Sequence, residues 1–206
     1  MTSQEAPQLY LTAPAQGAVG QVVAQITPIL DQFDIACLRL PAGGRDEDTL
    51  SRLADTLREI AHGRDIPIVL DDHYRLAAQL GLDGVHLTTG AREVRQARAH
   101  LHKDAIVGAY CGASRHQGMT AGEIGADYIS FGPVAESALG SGEVADQDLF
   151  AWWAEMIELP VIAEGGLSAQ AVEALKEAAD FLCFGEEIWG AEQSPQDTLK
   201  ACLAPL

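Results

Sequence analysis

Cysteine, positive charge and long apolar runs are all scarce in this chain, and each scarcity excludes something. The four cysteines, Cys37, Cys111, Cys183 and Cys202, lie far apart with no CxxC spacing. That pattern excludes a disulfide scaffold and a zinc ribbon, and it makes a reducing cytoplasm the expected compartment. Lys and Arg together number 13 against 30 Asp and Glu, a formal net charge of -17. Such a surface repels phosphodiester backbones and anionic lipid, so no nucleic-acid or membrane partner is expected. An anionic ligand must then be held by local devices, such as helix N-termini and one or two arginines. No apolar run approaches the ~20 residues of a membrane span. The polar stretch Met1 to Gln8 also lacks the basic-then-apolar order of a secretory signal.

What is present is a regular alternation. At 206 residues and 48% hydrophobic content, the chain suits one core, with residues 1–206 as a single domain. Short apolar runs predict strands at Leu9–Thr12, Ile35–Leu40, Ile66–Leu70, Gly84–Leu87, Ala105–Tyr110, Tyr128–Phe131, Val161–Ala163 and Phe181–Phe184. Amphipathic segments fill the gaps, as in Glu47–His62, where Leu50, Leu53, Leu57 and Ile60 recur at helical spacing. Ser168 suits an N-cap and Pro195 a first helical turn. Strict strand–helix alternation implies parallel strands, because each parallel return needs a crossover. Eight such units point to a closed (β/α)₈ barrel in the α/β class, although an open doubly wound sheet fits the same pattern. The sequence carries no signal for oligomeric state.

In such a barrel, ligands meet the C-terminal ends of the strands. Gly165 and Gly166 follow the seventh strand and Gly185 the eighth. Glycines there let backbone N–H groups approach a phosphate, and they equally suit a tight turn with positive φ. Arg39 is the sole basic residue at a predicted strand end, on the same face as Cys37 and Ile35 if the strand alternates regularly. It either meets a ligand anion or pairs with a carboxylate such as Asp72, since a lone buried charge is too costly. Asp71 and Asp72 are candidate ligands for Mg²⁺, or Asp72 is a helix cap. His86 is expected to be a structural histidine, and Trp152, Trp153 and Leu149 to pack a helix on the barrel. Val134–Ala145, rich in small residues, is either a mobile active-site loop or a plain connection.

Several motifs fall in a telling order: Leu9-Tyr10-Leu11-Thr12, Cys37-Leu38-Arg39, Leu70-Asp71-Asp72, Leu82-Asp83-Gly84-Val85-His86-Leu87, Gly125 through Pro133, and Ala163-Glu164-Gly165-Gly166-Leu167. From about Leu9 to Ile188 the chain resembles thiamine phosphate synthase and its paralogue, the thiazole tautomerase. The resemblance implies a triosephosphate-isomerase-type barrel of the phosphate-binding kind, with phosphorylated small molecules as ligands. It also implies transfer of a pyrimidine from its pyrophosphate onto thiazole phosphate, with Mg²⁺. By the same resemblance, Arg39 reaches the pyrimidine pyrophosphate, Asp72 binds metal beside Asp71, and the Gly166 backbone meets the thiazole phosphate. Ser137, in the loop after the sixth strand, joins Gly165 and Gly185 as a substrate-binding candidate.

The departures from the family pattern are equally specific. Cys37 replaces a glutamine, Pro41 a pyrophosphate-binding lysine, Asp71 an asparagine and Tyr110 a serine. Ala91 falls where a second metal-binding aspartate is expected, and Ser137, Leu139 and Gly140 replace a Thr-x-Thr-Lys pattern. Pro133 stands where the tautomerase has its catalytic histidine, so no residue is singled out as catalytic. Losing one transition-state donor costs about 3–4 kcal/mol, so competence in the synthase reaction is in question. The alternatives are a barrel isomerase or epimerase on another phosphorylated molecule, with Glu164 or Asp71 as acid or base, and a non-catalytic binder of a thiamine precursor or a protein.

Overall fold

The computed structural model describes residues 6–206, so Met1 to Glu5, and with them most of the polar N-terminal stretch, lie outside the described residues. Eight parallel strands close into a barrel in sequence order: β1 Gln8–Thr12, β2 Ile35–Leu40, β3 Ile68–Asp71, β4 Gly84–Leu87, β5 Ile106–Tyr110, β6 Tyr128–Phe131, β7 Val161–Glu164 and β8 Phe181–Phe184. The ring closes where β1 pairs with β8, Leu9 opposite Leu182, and this excludes the open doubly wound sheet. Around it run α1 Val19–Gln32, α2 Glu47–His62, α3 Tyr74–Leu80, α4 Val94–His100, α5 Arg115–Glu123, α6 Gln147–Met156, α7 Ala169–Leu175, the short α8 Glu186–Trp189, and α9 Pro195–Leu203. No helix among the described residues is long and apolar enough to cross a membrane.

The elements follow local chemistry. Asp46, Ser114, Asp146, Ser168 and Ser194 cap α2, α5, α6, α7 and α9 by accepting a backbone N–H in the first turn. Differences from the sequence expectation lie at the ends. β3 and β7 each run on to their final carboxylate, Asp71 and Glu164, which the apolar runs alone left out. A 3₁₀ turn, Gly90–Glu93, precedes α4. The α8 turn gave no apolar period to detect, being four residues long.

Two layers of packing result from the two-residue period of a strand. Outward-facing side chains and the helices form the large core, in which Trp153 of α6 meets Phe131 of β6 at 5.1 Å between ring centroids. Inward-facing Tyr10, Cys37, Val69, Tyr128, Ile162 and Cys183 fill the lower barrel. Two residues further along their strands come Arg39, Asp71, Ser130 and Glu164, all buried, with His86 beside them. The barrel therefore has an apolar floor and a polar upper layer.

Strand β2 breaks its own alternation. Leu9 pairs with Ile35 but Tyr10 pairs with Cys37, so Ala36 is an extra residue, a bulge. Regular alternation puts Ile35 on the face of Cys37 and Arg39; the bulge instead sends Ile35 into the outer core. It leaves Cys37 and Arg39 pointing inward. At the opposite end of the barrel, Asp83, Asp127 and Asp180 accept the N–H groups of Ile68, Val107 and Val161, pinning the starts of β3, β5 and β7.

Tyr128 fits only because its neighbour lacks a side chain. Gly108 pairs with it across β5 and β6, and a Cβ on Gly108 would stand 2.0 Å from Tyr128 Cζ. Gly108→Ala is expected to lower stability by about 1–3 kcal/mol through overpacking, read as a lower urea midpoint at constant m-value. An unchanged midpoint would contradict this packing.

Candidate active site at the barrel mouth

The polar upper layer is organised around Arg39. Its Nε donates to Asp71 Oδ1 at 2.6 Å, its Nη2 to Asp71 Oδ2 at 3.2 Å, and its Nη1 to Glu164 Oε2 at 2.9 Å. Ser130 Oγ donates to the other Glu164 oxygen, Oε1. Burial opposes the charge on Arg39, but Asp71 and Glu164 outweigh it and hold its pKa well above the ordinary value. Desolvation pushes the Asp71 carboxyl upward against the pull of Arg39. Arg39 pairs with carboxylates, and its partners are Asp71 and Glu164 rather than Asp72. Asp71 takes it because it faces inward two residues after Val69, whereas Asp72 has φ +56 and turns away.

Asp72 is bound elsewhere. Its Oδ1 accepts Thr88 N at 2.7 Å and its Oδ2 accepts Thr88 Oγ1 at 2.6 Å, tying the end of β3 to the end of β4. It is not the cap of α3, a position that His73 holds. Both oxygens of both aspartates are therefore engaged. Among the described residues, no three His, Cys, Asp or Glu side chains gather as metal ligands, and Ala91 adds no donor. Mg²⁺ is usually held by one or two carboxylates, its octahedron completed by substrate phosphates and water rather than by protein alone.

Beneath Arg39 runs a hydrogen-bonded column. Tyr10 and Tyr128 share a hydroxyl contact of 2.7 Å, and Tyr128 meets His86 Nδ1 at 2.9 Å. His86 Nε2 is buried without a partner, 3.9 Å from Glu164 Oε1. Desolvation, with Arg39 adding to it, depresses the His86 pKa well below the usual value, so the imidazole is neutral. Burial raises both tyrosines. Sequence reasoning placed His86 as a satisfied structural residue; the structure satisfies one ring nitrogen and aims the other at Glu164.

The loops complete the mouth. Beside the ends of β4 and β5 opens a cavity of about 830 Å³, lined in part by Thr88, Tyr110, Ser114, Arg115 and Glu143. The 134–145 stretch is anchored at both ends, while its middle, Ser141 to Val144 included, is exposed. Val134 N donates to Gly165 O at 2.8 Å, and Ala145 N to Pro133 O at 2.8 Å. Tyr110 Oη donates to Gly132 O at 2.6 Å and lies against Gly140, and desolvation pushes its pKa to about 12. Ser137 is half-buried and its Oγ accepts Leu139 N at 3.2 Å, so the side chain serves its own turn. Gly165 and Gly166 take φ +80 and +82, and Gly185 opens α8. The structure thus places Gly165 and Gly166 in the turn after β7, across the barrel from Asp71 on β3, and Gly185 in the turn after β8, with β1 between it and Arg39 on β2.

Thr88 and Ser130 were not anticipated as members of this network. Ser130 carries no sequence signal, being a lone hydroxyl in an apolar strand, and Thr88 follows β4 in a Thr-Thr-Gly run that reads as an ordinary turn.

The neutral, buried His86 has a thermodynamic signature. Its folded pKa lies below its unfolded value near 6.5, so the unfolded chain binds the extra proton and stability falls as pH drops through that value. Replacing His86 with Asn is expected to reduce the stability difference between about pH 7.5 and about pH 5.5 by about 1.4 kcal/mol. Urea titrations at the two pH values measure it; equal differences in both proteins would refute a neutral buried imidazole.

This arrangement has relatives. The family model described as thiamine monophosphate synthase matches residues 9–188. A thiamine-phosphate synthase of Rhodospirillum centenum is 35% identical over 190 residues, 91% of this chain and 92% of that protein. One from Erythrobacter litoralis is 34% identical over 200 residues, 94% and 93% of the two chains. Among solved structures, thiamine phosphate pyrophosphorylase from Pyrococcus furiosus superposes with a TM-score of 0.81 at 21% identity, covering 97% of this chain and 96% of that one. A structure titled native KDPGal superposes with a TM-score of 0.70 at 16% identity, a likeness of fold alone. With a family match across the whole barrel and full-length relatives above 30% identity, the chain belongs to the thiamine monophosphate synthase family.

Proposed function

We propose that the protein binds phosphorylated thiamine precursors at the C-terminal mouth of its barrel and joins the pyrimidine to thiazole phosphate with loss of pyrophosphate. The observation that carries this is Arg39, held at the mouth by Asp71 and Glu164 within a barrel of this family. Of the five N–H donors of a guanidinium, three are engaged by these carboxylates, and two are left for a ligand oxygen. Asp71 and Glu164 fix the plane of the fork, so Arg39 acts without reorganising when charge develops on a departing oxygen. The neighbouring cavity of about 830 Å³ has room for a ring system of this size.

The same geometry weighs on the rate. Asp71 and Glu164 place two carboxylates against one guanidinium, with His86 neutral, so the layer around Arg39 supplies little net positive charge. Pro41 and Ala91 add none where the family resemblance implies a lysine and a metal ligand. This shortage favours one second reading, a member that binds precursors without turning them over.

Incubating the purified protein with pyrimidine pyrophosphate and thiazole phosphate, with and without Mg²⁺, is expected to yield thiamine phosphate slowly. The rate should be about 10²-fold or more below that of the Rhodospirillum centenum relative, as for loss of a transition-state donor. No product above a protein-free control, with calorimetric binding of either precursor, would move the assignment to the binder. Arg39→Lys keeps the charge and loses the fork, and it should reduce kcat/KM by about 10²-fold while circular dichroism reports an intact barrel. Unchanged kcat/KM would remove Arg39 from the site.

A further inference from the structure

The loops after β1 and β2 meet over a second arginine. Arg45 stands just before Asp46, the N-cap of α2, and its guanidinium bridges the two loops. Nη1 donates to Pro41 O at 3.2 Å and to Ala42 O at 3.4 Å, and Nη2 donates to Pro14 O at 3.0 Å. The crevice is shaped to the group. At Gly43, with φ +61, a Cβ would stand 2.6 Å from Arg45 Nη1 and 2.0 Å from Ala15 O. Carbonyls orient a guanidinium but carry no net charge to cancel its own. Among the described residues no carboxylate forms an ion pair with Arg45. The nearby Asp46 is turned to Thr49, whose N and Oγ1 take its two oxygens. Arg39 thus shares its charge with two carboxylates, whereas Arg45 keeps its own.

Arg45 borders a cavity of about 430 Å³ at the starts of α2 and α3, which Glu47, Asp72, His73 and Arg75 also line. Arg75 is exposed and, among the described residues, forms no ion pair. Of the two acids, Asp72 is committed to Thr88, and Glu47 sits in the first turn of α2, where the helix dipole favours it. Asp72 follows Asp71, the partner of Arg39, so the cavity adjoins the Arg39 layer on its β3 side. We propose that Arg45, with Arg75 on the same cavity, forms an anion site on the rim of the mouth beside β2 and β3, and that this site takes the phosphate end of a phosphorylated ligand. A guanidinium fixed on three carbonyls is aimed before the ligand arrives, so little side-chain freedom is lost on binding. Two of its five N–H groups, that of Nε among them, remain for phosphate oxygens. The formal charge of -17 opposes such a ligand at a distance. Physiological salt screens that field beyond about 8 Å, which leaves the decision to the groups around the cavity. The pyrimidine's diphosphate as natural occupant rests on the proposed function; the anion site itself does not.

The test is calorimetric titration of the full chain with inorganic phosphate and with inorganic pyrophosphate, without divalent metal. The wild type is compared with Arg45→Gln, Arg75→Ala and Lys103→Ala. Lys103 is exposed just before β5, at the opposite end of the barrel, and controls for the loss of one positive charge. Pyrophosphate affinity is expected to fall about tenfold in Arg45→Gln, as for a lost hydrogen bond to a charged group, and about threefold in Arg75→Ala, as for an exposed ion pair. Lys103→Ala should bind as the wild type does. No binding of either anion by the wild type, equal affinities in all four proteins, or an equal loss in Lys103→Ala would overturn the proposal. If Arg45→Gln fails to fold by circular dichroism, Arg75→Ala decides alone: weaker pyrophosphate binding supports the site, wild-type affinity overturns it. The coupling reaction is judged separately, by thiamine phosphate formed. Product from a wild type whose anion affinity ignores Arg45 and Arg75 keeps the reaction and loses the site; anion binding through them without product does the reverse.

Discussion

A guanidinium buried inside the barrel cannot stand alone, and much of the mouth follows from that constraint. Arg39 is 6% exposed, where an unpaired charge would cost several kcal/mol. It is answered by Asp71 on the adjacent strand and by Glu164 across the barrel, so a single side chain links β2, β3 and β7. Glu164 in turn fixes Ser130 on β6 and lies beside His86 on β4. Removing one member of such a network strands the others, a loss of about 3–5 kcal/mol. The upper layer is therefore rigid.

That rigidity has a cost in function. A cation held between two carboxylates is well aimed but largely neutralised, and the reaction of this family requires charge to be stabilised on a leaving group. At the Arg39 layer the protein satisfies its own polar groups from within. A ligand must displace or supplement those contacts, which ties affinity to how easily the mouth reorganises.

Local patterns made most of the architecture legible. Strand–helix alternation, the two-residue period within strands, and capping residues such as Ser168 and Ser194 are short-range properties, and they place the eight strands to within two residues at every end. The ordered motifs from Leu9 to Ile188 identified the family, because glycines and carboxylates at strand ends recur at fixed distances in a barrel. Arg39 and Gly166 were visible for the same reason: a lone cation and a glycine pair at strand ends stand out against apolar neighbours.

What each of those groups touches was settled only by closing the barrel. Arg39 and Glu164 lie 125 positions apart, Tyr10 and Tyr128 lie 118 apart, and no local pattern records such pairings. The choice of Asp71 over Asp72 as the partner of Arg39 turned on one backbone angle, φ +56 at Asp72, which sends that carboxylate to Thr88. The bulge at Ala36 moved Ile35 to the outer core, a shift that alternation alone could not foresee. The sequence by itself determined the elements, their order and the family, because these rest on local propensity and period. The tertiary structure decided which charges neutralise one another, because burial and distance across the barrel exist only after the first strand meets the last.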